Sequence, residues 1–218
     1  MPILATNIAT GQANHPGVHN EERTQINANT NAIAAMLQRS GGVITPKDQN
    51  LICWSFDPAA SDRNNALGLT SGTARQTLVY VPVATTITNI HTFIQQAGTW
   101  LTAGQSFAAL YEADGDLLRV TADQSTAWTT VGEKVMPLAT PYNMPAPGLL
   151  KVVLWSVFTG TAPGTARSMG AQSSGAMNMA LAPPLLRAST ANTGLTTTAP
   201  ATLGAETASG SLMLVALS

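Results

Sequence analysis

Few residues in this chain could do chemistry. Three histidines, eleven acidic residues, ten lysines and arginines and one cysteine are spread over 218 residues. His15 and His19 stand four apart, a spacing that puts two metal ligands on one helix face. Pro16-Gly17 between them opposes a helix, and no third ligand is near, so they read as solvent-facing or interface histidines. His91 sits beside Phe93 in an alternating run and reads as a sheet-face histidine with a satisfied hydrogen bond. Glu112, Asp114, Asp116 and Asp123 are clustered. Glycoside cleavage needs two carboxyl groups facing across a cleft. Turn chemistry at Asp114 and Asp116, and an exposed strand position at Glu112, account for these acids instead. Asp114-Gly-Asp116 has the opening of a calcium loop without the rest of its ligand pattern. No Gly-x-Ser-x-Gly elbow, no Gly-x-x-x-x-Gly-Lys loop and no Gly-x-Gly-x-x-Gly turn occurs. A serine triad would have to borrow His91 and distant residues. The expectation is a protein that is not an enzyme and takes no cofactor or metal. Cys53, within Leu51–Phe56, reads as a buried small hydrophobe, and a single cysteine allows no intrachain disulfide.

The aromatic residues are the other candidates. Trp155 lies in an apolar strand and belongs to a core. Trp100 follows Gly98-Thr99 near a strand end, Trp128 follows Ser125-Thr126-Ala127, and Tyr142 sits in a proline-flanked loop. At the rim of a β-sandwich such rings can stack on the apolar face of a sugar. They can equally cap the core or contact a neighbouring subunit. Trp100, Trp128 and Tyr142 are therefore the candidate glycan contacts, with core-capping as the competing reading.

Composition removes several partners. Only 10% of the residues are charged and the net charge is -1, against about 25% charged in an average soluble domain. Ten scattered cations make no phosphate-neutralising stripe, so nucleic acid is not an expected partner. A charge-rich disordered chain is excluded as well. The mean hydropathy is +0.12, yet no apolar run reaches the ~18 residues of a spanning helix. The longest, Leu149–Phe158, is interrupted by Lys151, so no membrane insertion is expected. The N-terminus has neither a basic nor an apolar signal region. The expectation is a chain made and kept in the cytoplasm, or leaving only as part of something released by lysis.

The elements that must position these residues fall into four stretches. Residues 1–18 have no usable period and read as an extended anchoring arm. Residues 19–42 read as a short helix. Asn20 is its N-cap, Glu21 and Glu22 occupy the first turn, Arg39 the last, and Gly41-Gly42 stops it. Ile26, Ile33, Met36 and Leu37 form a narrow apolar stripe for oligomerisation or docking. Asn27, Asn29 and Asn31 weaken the helix, so something must cover that stripe. A short coiled coil of identical helices is one cover; another protein or the chain's own β domain is the other. Residues 43–73 read as a linker with one strand at 51–56. Residues 74–218 read as the β domain.

Within it, 77–83 is rich in β-branched residues, and 87–95 alternates with Thr88, Ile90, Thr92 and Ile94 on one face. Asp114-Gly115 predicts a two-residue type I′ hairpin with Ala113 opposite Asp116 and Tyr111 opposite Leu118. Further strands are expected at 126–138, 149–158 and 211–217, and long loops over 159–210. The fold class is mainly β: an antiparallel β-sandwich, jelly-roll-like, preceded by an extended N-terminal arm and one short α-helix.

Several blocks bear a family resemblance. They are Leu78-Val-Tyr-Val-Pro82, Ile87-Thr-Asn-Ile90, Leu101–Tyr111, Gly115-Asp-Leu-Leu118, Asp123–Trp128, Ala146-Pro-Gly148, Leu186-Arg-Ala188 and Ala216-Leu-Ser218. Together they resemble a β domain of virion proteins in tailed phages that infect actinobacteria, over roughly residues 70–218. Asn14–Arg23 is similar to the lead-in of the first helix in phage minor tail and fibre proteins. The resemblance implies a structural virion protein of the minor tail, fibre or head-decoration type, at the virion surface. The expected partners are copies of itself, as a homotrimer around the helix, and the major capsid or tail proteins of the same phage; the alternative reading, from the loop aromatics, is a host cell-surface glycan. Head and tail locations stay open.

Overall fold

A computed structural model describes residues 21–29, 44–168 and 173–218. The chain divides into two compact units, Met1–Ile44 and Thr45–Ser218. In the first unit residues 21–29 form helix α1, where Gln25 Nε2 donates to Asn29 Oδ1 one turn on, at 3.0 Å. Ile26 lies on this helix and is exposed. The expected arm, and Ile33, Met36 and Leu37, lie outside the described residues.

The second unit is mainly β. Among its described residues the strands are β1 (Cys53–Trp54), β2 (Leu67–Gly68), β3 (Ala74–Val81), β4 (Thr85–Gln96), β5 (Leu101–Glu112), β6 (Leu117–Val120), β7 (Gly132–Met144), β8 (Gly148–Phe158), β9 (Gly164–Thr165), β10 (Ala188–Ala191), β11 (Thr207–Ala208) and β12 (Val215–Leu217), with a one-turn helix α2 (Ser174–Met177). They form two six-stranded antiparallel sheets. The first runs β1-β12-β4-β9-β2, with β7 on the opposite edge of β4: Ile90 pairs with Leu217 on one side and Met136 on the other. The second runs β11-β10-β3-β8-β5-β6. The chain changes sheet between β2 and β3, β3 and β4, β4 and β5, β6 and β7, β7 and β8, β8 and β9, β9 and β10, and β11 and β12, a wrapped course that makes a sandwich. The short strands β1, β2, β9 and β11 extend it beyond the eight strands of a plain jelly roll.

The expected linker at 43–73 is corrected. Cys53 and Trp54 pair with Leu217 and Ala216 of β12, and Leu67 and Gly68 pair with β9. The unit therefore starts at Thr45 rather than 74, because these residues complete the first sheet. Cys53 is buried as expected, and desolvation pushes its thiol up to about 12.

Two cores follow from the strand periods. Between the sheets lie Val79, Ile90, Ile94, Leu110, Val152 and Val215. The expected face of β4 holds at Ile90, Thr92 and Ile94 but fails at Thr88, which is exposed. A bulge between Ile87 and Asn89 resets the alternation and turns Ile87 inward. The second core lies on the outer face of the second sheet: Ala74, Ala109, Tyr111, Val153 and Trp155, covered by Leu203. β8 is thus buried on both faces, with Leu150, Val152 and Leu154 inward and Lys151, Val153 and Trp155 outward.

The cover is residues 192–206, a strap tied on by backbone acceptors. Trp155 Nε1 donates to Thr196 O at 3.1 Å and Tyr111 Oη to Pro200 O at 3.0 Å. Leu117 N donates to Ala201 O, and Leu203 N to Gly115 O, both at 2.9 Å. Burying an indole is worth about 4–6 kcal/mol at ~25 cal/mol per Å², an upper figure. Without the strap part of that term would be lost at Trp155, which also packs against Phe107.

The hairpin also differs in detail. Only Gly115 has positive φ, 109°; Asp114 does not, so the type I′ turn is not formed. Gly115 N donates to Glu112 O at 3.0 Å and Glu112 N to Asp116 O at 2.8 Å. The loop is three residues with glycine at the bulge position. Tyr111 accordingly pairs with Leu117, not Leu118.

The expected strand 126–138 begins late. Residues Ala127–Thr129 make a 3-10 turn, and Trp128 is fully buried. Its Nε1 has no hydrogen-bond partner. The indole is a core plug whose polar atom is unsatisfied. Trp128→Ala is expected to cost about 3–5 kcal/mol in urea unfolding, and Trp128→Phe about 1 kcal/mol or less, since phenylalanine removes the orphan N–H.

Candidate functional site

The three candidate glycan contacts do not come together. Trp128 is corrected outright: a fully buried ring offers no face to a ligand. Tyr142 sits on β7 opposite Ile87, whereas Gly132 at the start of β7 lies opposite Ile94. Trp100, in the loop after β4, is therefore at the other end of that strand pair. Tyr142 is half-buried, and the Arg119 guanidinium stands 5.8 Å from its ring centroid, which occupies that face. Burial, then the Glu112 charge, raises the Tyr142 pKa.

Trp100 is different in kind. Its residue is 78% exposed and its φ is 55°. A bulky residue in the left-handed region is strained by about 1–3 kcal/mol, and such strain persists only where surroundings enforce it. Here the enforcement is visible. Thr159 N donates to Trp100 O at 3.2 Å, Thr99 N to Thr161 O at 3.0 Å, and Thr161 N to Thr99 Oγ1 at 2.8 Å. Gly98 N donates to Trp128 O at 3.0 Å, which joins this loop to the turn that buries Trp128. Gly160 completes the seat: a Cβ there would stand 2.3 Å from Trp100 Cδ1 and 2.7 Å from Thr99 O. The indole rests against bare backbone and turns its remainder to solvent.

The loops 97–100, 126–131 and 159–163 share this end of the sandwich. Thr99, Thr129, Thr130, Thr159 and Thr161 are exposed there, with Val131 beside them. Lys134 Nζ donates to Thr130 Oγ1 at 2.8 Å. The turn is braced from below by Asp123. Its carboxylate accepts from Ser106 N at 3.0 Å, Ser125 N at 3.2 Å and Ser125 Oγ. Desolvation pushes the Asp123 pKa up, but hydrogen bonds from Ser125, Ser106 and Gly104 outweigh it and hold the pKa below the usual carboxylate range.

A second feature was not legible in the sequence. An open groove of about 240 Å³ crosses the first sheet, lined by Leu51, Trp54, His91, Phe93, Glu133 and Leu214 among others. Within it His91 Nδ1 meets Glu133 Oε1 at 3.1 Å, and His91 Nε2 meets Ser218 Oγ at 2.8 Å. The order serine, histidine, carboxylate is that of an acyl-transfer relay. Yet Ser218 Oγ also accepts from Asn89 Nδ2 at 3.1 Å, and Ser218 O accepts from Thr88 N and Asn89 N. Every one of these bonds of Ser218 ties the residue after β12 to β4, and the Glu133 side chain is 66% exposed. The assembly is a clamp on the last strand. The expected satisfied histidine is found, with partners 42 and 127 residues away.

Among the described residues no cluster of three histidine, cysteine or carboxylate groups could hold a metal ion, and no helix is long and apolar enough to cross a membrane. What the fold and its surface define is a β-sandwich with a threonine-lined end bearing one strained, exposed tryptophan. No protein-family model matches the chain, and no curated protein matches it.

Two outcomes are expected. Gly160→Ala displaces the Trp100 loop, so amide resonances of 97–101 and 159–161 shift in NMR spectra while those of β3 and β8 stay. Asp123→Ala lowers stability by about 1 kcal/mol, solvent screening keeping the figure small. Because the folded-state pKa is depressed, that contribution is present above the unfolded pKa and is lost as pH falls through the folded one. The stability difference between wild type and variant should close in acid denaturant titrations.

Proposed function

We propose that the protein is a structural, non-catalytic component of a tailed-phage virion whose β-sandwich binds a neutral host-surface glycan through Trp100. The observation that carries the binding part is the exposed indole held at φ 55° by the 97–100 and 159–161 loops. A fixed ring loses little conformational freedom when a ligand lands on it. A pyranose presents an apolar C–H face to such a ring and hydroxyls at its edge. The threonines around Trp100 supply donors and acceptors for those hydroxyls. Few ions must be desolvated, which suits an uncharged sugar better than an acidic one.

The virion part rests on the sequence blocks named above. In that reading the arm and the Ile26, Ile33, Met36, Leu37 stripe anchor the chain to capsid or tail proteins and gather three copies. A neutral sandwich surface fits repeated packing against copies of itself or a shell, because little charge is buried on contact. The low ion count also makes the surface tolerant of salt.

The test is binding of recombinant protein to a glycan array and to host cell-wall fragments, with mass spectrometry of purified particles for the chain's copy number. Trp100→Ala is expected to weaken glycan binding at least about tenfold, and Tyr142→Ala to leave it unchanged. Equal binding by wild type and Trp100→Ala would refute the site. Absence of the chain from purified particles would refute the virion role.

A further inference from the structure

The strap hides a cluster that neither the sandwich nor the Trp100 end requires. Lys151 and Glu206 are 1% and 4% exposed, and Nζ donates to Oε1 at 2.5 Å. The other carboxylate oxygen accepts from Ser189 Oγ at 3.0 Å. A fully buried ion pair is an expensive way to hold a strap, since desolvation can exceed the attraction gained. Beside it lies Gln76, 2% exposed, whose Oε1 and Nε2 both lack a hydrogen-bond partner. Two unsatisfied buried amide atoms forgo the hydrogen bonds that water gave them in the unfolded chain, with nothing in return.

Register places these groups on one face. Gln76 pairs with Ser189 of β10 on one side and Val153 of β8 on the other, and Leu78 pairs with Lys151. Directly paired residues point the same way, so Gln76, Leu78, Lys151, Val153 and Ser189 all face the strap. The Glu206 carboxylate reaches from Ser189 on β10 to Lys151 on β8, and therefore passes over β3, the strand between them, which carries Gln76. Gln76 and Lys151 are diagonal neighbours on adjacent strands. Their Cα atoms are then about 7–8 Å apart, within reach of two long side chains. A buried amine and carboxylate in contact thus lie diagonally beside a buried carboxamide that hydrogen-bonds to neither.

We propose that Lys151 and Gln76 become joined by an isopeptide bond that the protein forms on itself, with Glu206 carrying the proton. Glu206 takes a proton from the Lys151 ammonium. The free amine attacks Cδ of Gln76, forming the new C–N bond and a tetrahedral intermediate. The attacking nitrogen gives up a second proton as Nε2 takes one, relayed by Glu206, and the Cδ–Nε2 bond breaks. Ammonia leaves, and Glu206 keeps the one proton left over. No oxidant, metal or cofactor is needed. The product replaces a buried ion pair and an unsatisfied carboxamide with a secondary amide and a neutral acid. It staples β3 to β8 beneath the strap, in the centre of the second sheet.

Intact mass spectrometry of the denatured full-length chain decides this without relying on any variant. The wild type is expected to be lighter than its sequence mass by one ammonia, about 17 Da. Proteolysis should then release a branched peptide containing both Gln76 and Lys151. Lys151→Arg and Glu206→Ala should each show the full sequence mass. A wild type at full sequence mass overturns the proposal. So does a deficit of about 18 Da mapped to Lys151 and Glu206, which would mean condensation with the carboxylate and loss of water.

Discussion

A sheet with two apolar faces must be covered twice, and most of this structure answers that demand. One face of the second sheet meets the first sheet. The other carries Val153, Trp155, Tyr111 and Ala109, and a single antiparallel sheet with that face in water would leave two large aromatic rings exposed. The strap at 192–206 supplies the missing layer. It needs no regular structure of its own, because the indole and phenol beneath it donate to its carbonyls at Thr196 and Pro200. The same bonds satisfy the polar atoms of the two rings, so one set of contacts solves both burial problems.

That constraint explains the composition. A strap laid flat on a sheet must bring its backbone close, which favours small residues. Residues 192–206 are mostly Thr, Ala, Gly and Pro, and their only charge is Glu206. Glu206 is turned inward to Lys151. Read from composition alone, this region resembles loop. Asn178 continues the pattern on the neighbouring segment: its side-chain amide donates to Ala188 O and Ser209 O and accepts from Ala188 N, fixing the approach to β10 and the start of the return.

What the sequence made legible is what depends on neighbours in the chain. Strand periods at β3, β4, β5 and β8, the buried state of Cys53 and the existence of the 112–116 turn were all readable. Failures came where a distant residue decided. Trp128 reads as a rim aromatic until the 3-10 turn before β7 drives it inward. Thr88 reads as an inward residue until a bulge flips it. Residues 43–73 read as a linker with one strand at 51–56 because β1, inside that stretch, and β2 are two residues each, and their partners lie far along the chain. Trp155 reads as core, correctly, but nothing local tells which of two cores it enters. Of the three candidate contact aromatics only Trp100 keeps an open face, and its distinguishing property, a left-handed backbone, has no local sequence signal beyond Gly98 two residues before it.

The two features that remain after packing is accounted for share a physical logic. Strain at Trp100 and ion burial at Lys151 and Glu206 each cost free energy that the core must supply. A sandwich with so few charges could have avoided both: a glycine or asparagine suits φ 55° better, and a leucine fills the Lys151 site without an ion. Each cost is tolerated only within a frame that imposes it, and each sits where neighbouring elements hold it by hydrogen bonds or burial. Trp100 is held between two loops hydrogen-bonded to each other; Lys151 lies on the strand buried on both sides. The 159–161 loop leaves the end of β8 and closes on Thr99 and Trp100 through backbone and hydroxyl hydrogen bonds. A tryptophan presented on a flexible loop would have relaxed out of the left-handed region. The left-handed backbone at Trp100 is therefore held by the hydrogen bonds between those two loops.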